Sequence, residues 1–234
     1  MSTGWAAGPM CAFDTESTGV DPLEARIVTA CVAIVNAPTP TLPGQWLINP
    51  GVDIPEAATA VHGITTAHAR EHGQDPATAV ADIRYALDAV WSAGIPVVAY
   101  NAAYDLTILD AELRRHGHPP LVVGPVIDPL VLDRALDRYR RGSRKLTAAC
   151  AHYGVRLDGA HDATFDALAA ARVAWRIAQQ YPDIAALHLD DLMTLQAGMH
   201  LEWATHFQAY LRGKGSTEVI ETAWPLRTTQ PATV

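Results

Sequence analysis

The chain has 234 residues, 49% of them hydrophobic and 18% charged, with a formal net charge of −8. This composition suits one globular domain with a full core and excludes a largely disordered chain. The negative balance excludes a protein that coats nucleic acid with its whole surface, but not an enzyme that grips a few phosphates beside a carboxylate site.

Met10–Phe13 predicts a strand that runs into Asp14-Thr15-Glu16-Ser17-Thr18-Gly19, a strand end closed by a glycine turn. Arg26–Val35 is a second strand; its largely apolar part, Ile27–Val35, is the longest such stretch in the chain. It is well short of the roughly 20 residues that a membrane span needs, so no membrane association is expected. Gln45–Asn49 is a third strand, with Pro and Gly punctuating the gaps at Pro38–Gly44 and Asn49–Gly51. The start, MSTGWAAGPM, has no basic segment followed by an apolar run, so no secretory leader is expected. Cys11, Cys31 and Cys150 are odd in number and widely spaced, which fits neither a disulfide framework nor a zinc pattern. Cys11 and Cys31 read as reduced core residues, and the expected compartment is the cytoplasm.

Beyond this meander the pattern changes to alternating helices and strands. Pro76–Ala93 is helical, with Val80, Ile83, Leu87 and Val90 on one face; Ile95–Tyr100 is a buried strand; Tyr104–His116 is helical. Pro125–Ile127 is a short strand, and Asp128-Pro129 reads as a cap followed by Pro at the first helical position. Leu130–Tyr139, Leu146–Tyr153 and the Ala-rich Thr164–Gln180 complete the set. A meander followed by this alternation predicts an α/β fold: a mixed sheet, antiparallel first and then parallel, flanked by helices. From about Leu187 the chain reads as an appendage with one helix, Asp190–Arg212, whose stripe Leu195, Met199, Trp203, Phe207 and Tyr210 is expected to pack on the domain. Gln230–Val234 reads as a frayed end.

Asp14 and Glu16 alternate along one strand, so both carboxylates face one side and Thr15 the other. Two acids at the end of an apolar strand fit a divalent cation with oxygen ligands, and fit a solvated strand end equally well. Asp105 and Asp166 each open a helix, and His161 stands five positions before Asp166. Singly, these read as first-turn acids and a loop histidine. Together, four carboxylates from a strand end and two helix starts would repel unless divalent cations relieved them, which is the donor set of a two-metal phosphoryl-transfer centre. Asp128 reads first as a helix cap and only second as a neighbour of that centre. Six of the chain's seventeen basic side chains fall between Arg134 and Lys145, and Arg141, Arg144 and Lys145 are candidates for a phosphate grip.

The segments FDTESTG, YNAAYD and HDATFDA resemble, in order and spacing, the three signature segments of the DEDDh exonucleases, the family of the bacterial polymerase proofreading (epsilon) subunit. INPGVDIPEAATAVHGIT resembles the family's stretch between the first two, and the likeness spans residues 9–180. Asp162 stands where the sister branch carries Tyr, so the histidine branch fits.

The resemblance implies an RNase H-like fold with a five-stranded mixed sheet, here an exonuclease domain over residues 1–188 and a C-terminal helical extension over residues 189–234. It implies Asp14, Glu16, Asp105 and Asp166 as ligands of two divalent metal ions, Mg²⁺ or Mn²⁺, and His161 as general base. It places Ser17, Thr18 and Gly19 along the terminal nucleotide, Val61, His62 and Ile64 near its base, and Asn101 and Tyr104 at the scissile end. Tyr104 stands where many relatives have Phe, a small departure that leaves the ring available. The implied activity is 3′→5′ hydrolysis of DNA, of proofreading or repair type, on a single-stranded or frayed 3′ end and with a DNA polymerase as candidate partner. Two alternatives stay open: an RNA or oligoribonucleotide exonuclease of the same family, and a non-catalytic polymerase-associated module.

Overall fold

The computed structural model describes residues 4–36, 41–157 and 162–227. Strands β1 (Met10–Ser17), β2 (Ile27–Val35) and β3 (Thr41–Leu47) form the antiparallel meander, and β4 (Val97–Val98) and β5 (Val126–Ile127) continue it as parallel strands. The order across the sheet is β3-β2-β1-β4-β5. The expected mixed sheet is therefore the one observed.

Alternation along β1 divides the core in two. Met10 and Ala12 face a layer built on α6 (Leu146–Tyr153) and α7 (Ala163–Gln180), while Cys11 and Phe13 face α3 (Pro76–Ser92) and α4 (Ala102–Arg115). Helix α7 lies across β1 and β2 on Ala163, Ala167, Ala170, Ala171 and Ala174. Side chains this small let its axis approach the sheet closely, which carries its first turn to the end of β1. Cys11 and Cys31 are free and buried, as expected, and Cys150 is free and buried too.

Several boundaries differ from the sequence reading. β3 starts at Thr41, inside the stretch read as a Pro/Gly gap, and residues 37–40 of that gap lie outside the described residues. β3 is an edge strand, where a Pro without an N–H is tolerated. Helices α1 (Glu56–His62) and α2 (Thr66–His72) have no counterpart in the reading. No residue of α1 is buried, so no apolar period marks it. Helix α5 (Pro129–Leu136) stops at Leu136 rather than at Tyr139, because the following loop is drawn inward by a buried acid. Asp133 is fully buried between Arg140 (2.7 Å) and Arg144 (2.8 Å) and accepts from the Tyr153 hydroxyl at 3.0 Å. Burial pushes its carboxyl up, but the two guanidiniums and Tyr153 outweigh this and hold it below its ordinary value.

After the short α8 (Pro182–Ala185), α9 (Leu189–Gly213) packs on α5 (Pro129–Leu136) and β5. Its buried seam is Leu192, Gln196, His200 and Ala204, not the expected aromatic stripe. Phe207 and Tyr210 are exposed, and Trp203 is covered by Arg134, whose guanidinium carbon lies 3.6 Å from the ring centre. Two polar residues can occupy the seam because each has a partner: Gln196 accepts from the Asp128 N–H (2.7 Å) and donates to the Val126 carbonyl (2.9 Å), and a His200 ring nitrogen meets the Glu221 carbonyl at 3.1 Å. The stretch read as frayed lies outside the described residues. Among the described residues no helix is long and apolar enough to cross a membrane.

Candidate active site

The period-two geometry of β1 sends Asp14 and Glu16 to the α7 side of the sheet, where Asp166 arrives in the first turn of that helix. One carboxylate oxygen from each of Asp14, Glu16 and Asp166 lies within 4.8 Å of the others. Asp162 caps the same helix, accepting from the Thr164 N–H at 2.9 Å, and its charge adds to the load on Asp14 and Glu16. His161 lies outside the described residues.

Asp105 reaches this cluster from the opposite face. The Cys11 N–H donates across the sheet to the Pro96 carbonyl, so the N–H groups of Phe13 and Thr15 point to the same edge. β4 pairs with β1 only as far as Val98, which leaves the Thr15 N–H without a strand partner. Asp105 fills that place: its Oδ1 accepts from the Thr15 N–H (2.9 Å) and the Thr15 hydroxyl (2.7 Å). Asp105 is 4% exposed and stands close enough to act on Asp14. Three carboxylates are thus gathered on one face, and the fourth is fixed at the sheet end by the residue between the first two.

Packing acids together in low dielectric disfavours their charged forms. Burial first, and then Asp105, Glu16 and Asp166, raise Asp14 well above the carboxylate range. Burial first, and then Asp166 and Asp162, push Glu16 up to about 7. Asp105 is also pushed up to about 7 by burial, against the two Thr15 bonds. A set of hard oxygen donors that resists ionisation on its own fits a divalent cation such as Mg²⁺ or Mn²⁺.

These carboxyls bind protons more tightly folded than unfolded, so their favourable contribution is complete below the unfolded values and is lost as pH rises through about 7. In EDTA, the melting temperature should fall by several degrees between about pH 5.5 and about pH 8, and Mg²⁺ or Mn²⁺ should restore more at the higher pH. Differential scanning fluorimetry across that grid measures it; equal metal-induced shifts at both pH values would refute it.

Around the acids, Ser17 Oγ meets the Tyr104 hydroxyl, which also donates to the Gly19 carbonyl. The hydroxyl that looked like a small departure therefore ties α4 to the glycine turn. The Thr18 hydroxyl accepts from the Arg26 N–H at 2.9 Å and keeps its own proton to donate. Val61 is 49% exposed. His62 Nδ1 accepts from the Ile64 N–H at 3.1 Å, which makes Nε2 the protonated nitrogen; burial lowers the ring's pKa, and the Ser17 backbone beside it acts in the opposite direction. His62 and Ile64 share a cleft with Thr29, Trp46 and Thr164.

Asn101 turns the chain from β4 into α4 with φ 70° and ψ 47°, a left-handed conformation Asn tolerates. Asp128 holds that turn. Its carboxylate accepts from the N–H groups of Asn101 (3.0 Å), Ala102 (3.0 Å) and Leu130 (2.9 Å), and from Trp224 Nε1 (3.3 Å). Asp128 is thus both the expected cap and a support of the helix that carries Asp105, a double role its sequence context does not signal. In the basic cluster, Arg144 donates to Asp133 and to the carbonyls of Asp133 and Asp137, so its guanidinium organises the loop, whereas Arg141 and Lys145 are exposed.

A mixed sheet in this order, with carboxylates at the end of its first strand and on the helices against it, defines the RNase H-like class. The exonuclease family model RNase_T matches residues 11–174, and the chain belongs to that family. It is 36% identical over 129 residues to a DNA polymerase III subunit epsilon-like protein of Rhodobacter capsulatus, covering 53% of this chain and 16% of that protein. It is 29% identical over 163 residues to a PolC-type DNA polymerase III of Streptococcus thermophilus, covering 69% of this chain and 10% of the relative. The chain thus spans a small part of both relatives. Among solved structures, exonuclease I from Methylocaldum szegediense superposes with a TM-score of 0.65 at 22% identity, over 84% of this chain and 46% of that one. E. coli exonuclease I in complex with a dT13 oligonucleotide superposes with a TM-score of 0.61 at 18% identity, over 76% and 42%. At these identities the likeness is one of fold.

Proposed function

We propose that this chain is a metal-dependent 3′→5′ exonuclease that hydrolyses the terminal phosphodiester of single-stranded or frayed DNA and releases nucleoside 5′-monophosphates. The observation that carries the reading is the convergence of Asp14, Glu16 and Asp166 within 4.8 Å, with Asp105 fixed beside them by Thr15. These four would hold the divalent ions, Mg²⁺ or Mn²⁺, which when bound supply Lewis acidity and a water of lowered pKa.

In this reading His161 takes the proton of the attacking water. Its role rests on the resemblance and on its place just ahead of Asp162 and α7. Ser17, Thr18 and Gly19, kept in place by Tyr104, receive the terminal sugar. The Thr18 hydroxyl has a proton to give to the 3′ oxygen. The ring of Tyr104, with Asn101, lines the scissile end, and Val61, His62 and Ile64 take the base. Arg141 and Lys145 remain candidates for gripping the strand farther along. DNA is favoured as substrate by the polymerase III relatives and by the oligonucleotide bound in the exonuclease I neighbour, and a DNA polymerase is the proposed partner.

The test is a 5′-labelled DNA primer incubated with Mg²⁺, Mn²⁺ or EDTA, beside a matched RNA. A descending ladder with metal and none in EDTA is expected. An RNA ladder that outpaces the DNA ladder would reassign the substrate, and no ladder with either metal would end the nuclease reading.

A further inference from the structure

Beyond α9 the chain doubles back as a strap toward the site. The Gln208 side chain is the first anchor, donating to the Glu218 carbonyl (2.9 Å) and accepting from the Ile220 N–H (2.8 Å). The Glu221 carbonyl meets His200 (3.1 Å), and Trp224 donates to the Asp128 carboxylate (3.3 Å). Finally, the Arg227 N–H donates to the Thr107 hydroxyl at 3.0 Å. Trp224 and Leu226 pack on the same core cluster as Tyr104. Thr107 lies one helical turn beyond Tyr104 on α4, so the strap delivers Arg227 to the face of α4 that meets the Ser17–Gly19 turn.

The other cations near α4 are committed. Arg26 and Arg115 both pair with the buried Glu112, as Arg140 and Arg144 pair with Asp133. Among the described residues no carboxylate stands within ion-pair distance of Arg227. Its charge instead acts on the Tyr104 hydroxyl, offsetting part of the burial that raises it. A half-exposed cation at the rim of an acid-lined site, in a protein of net charge −8, is suited to a polyanion entering past that rim.

We infer that Arg227, presented by the C-terminal strap, is a strand-binding residue that contacts a backbone phosphate of the DNA substrate upstream of the scissile bond. This rests on the nuclease reading above, and it places a functional residue well outside the stretch that the exonuclease family model matches.

The test uses the full chain, Arg227→Ala and Arg227→Lys, and a 5′-fluorescein single-stranded DNA read by anisotropy in Ca²⁺ buffer across a salt series. Arg227→Ala should weaken binding about fivefold or more and lower the slope of log K against log salt by about 0.7, one phosphate contact on a single strand, while Arg227→Lys keeps most of both. In turnover, kcat/KM on the oligonucleotide should fall at least about fivefold more than on thymidine 5′-monophosphate p-nitrophenyl ester, which has no upstream phosphate. Unchanged affinity and slope, or equal losses on the two substrates, would overturn the assignment. Equal melting temperatures of wild type and Arg227→Ala exclude a folding defect as the cause. Binding is read without hydrolysis, so a wild type that binds but releases no nucleotide would refute the nuclease reading while still reporting on Arg227.

Discussion

Asp166→Asn should abolish nucleotide release and, in the absence of metal, make the protein more stable. The two effects have one cause. Asp166 adds negative charge to a cluster in which Asp14 and Glu16 are already held out of their usual range. Two unit charges about 4–5 Å apart repel by roughly 3–4 kcal/mol at an effective dielectric near 20. A first-turn acid recovers at most about 1 kcal/mol from the helix dipole. The repulsion exceeds the dipole contribution and is further offset by a contact that Asp166 itself makes, so above about pH 7 the metal-free variant should gain about 1–2 kcal/mol, seen as a melting temperature higher by about 2–6 °C in EDTA. With metal, the same substitution removes a hard oxygen ligand. If that costs the several kcal/mol a bound cation supplies, nucleotide release falls by about a thousandfold or more. A variant that loses activity together with metal-free stability would mean that Asp166 holds the fold rather than a cation.

The half of the site on regular elements was open to sequence reading. Alternation puts Asp14 and Glu16 on one face, and an Ala-rich helix with Asp166 in its first turn can lie flat enough to meet them. What stayed hidden depends on tertiary hydrogen bonds that no local period encodes. Thr15 reads as the residue facing away, yet it faces away toward Asp105, at the one place where β4 stops pairing. Gln196 and His200 lie off the apolar stripe yet form part of the dry seam of α9, because their partners come from Asp128 and the strap. The stripe Trp203, Phe207 and Tyr210 shows the converse: an apolar period specifies a face but not what it meets, and here that face stacks on itself and under Arg134. The strap has neither period nor motif. Its course becomes visible only once Trp224 and Thr107 have been located in space.

Asp128→Ala should produce the largest stability loss of any single substitution at the rim of the site. Its carboxylate is buried and accepts from two N–H groups at the β4–α4 turn, two at the start of α5 and one indole of the strap. Burial raises its pKa even against these bonds, so the ionised form is held at a cost that the donors only partly repay. Removing it strands those donors, each at about 1–3 kcal/mol unless water enters, and a total loss of about 3–5 kcal/mol is expected in urea denaturation. Asp128→Asn keeps one oxygen and should lose about 1–3 kcal/mol, because its NH₂ must face donors on one side. At low temperature, where both variants remain folded, nucleotide release should fall in the same order, since the Asn101 turn sets where Asp105 and Tyr104 stand. Tryptophan fluorescence should report release of Trp224 in the Ala variant. If Asp128→Ala lost less than about 1 kcal/mol, water would be serving those donors as well as the carboxylate does. The union of turn, helix start and strap at one side chain would then contribute little to holding the site together.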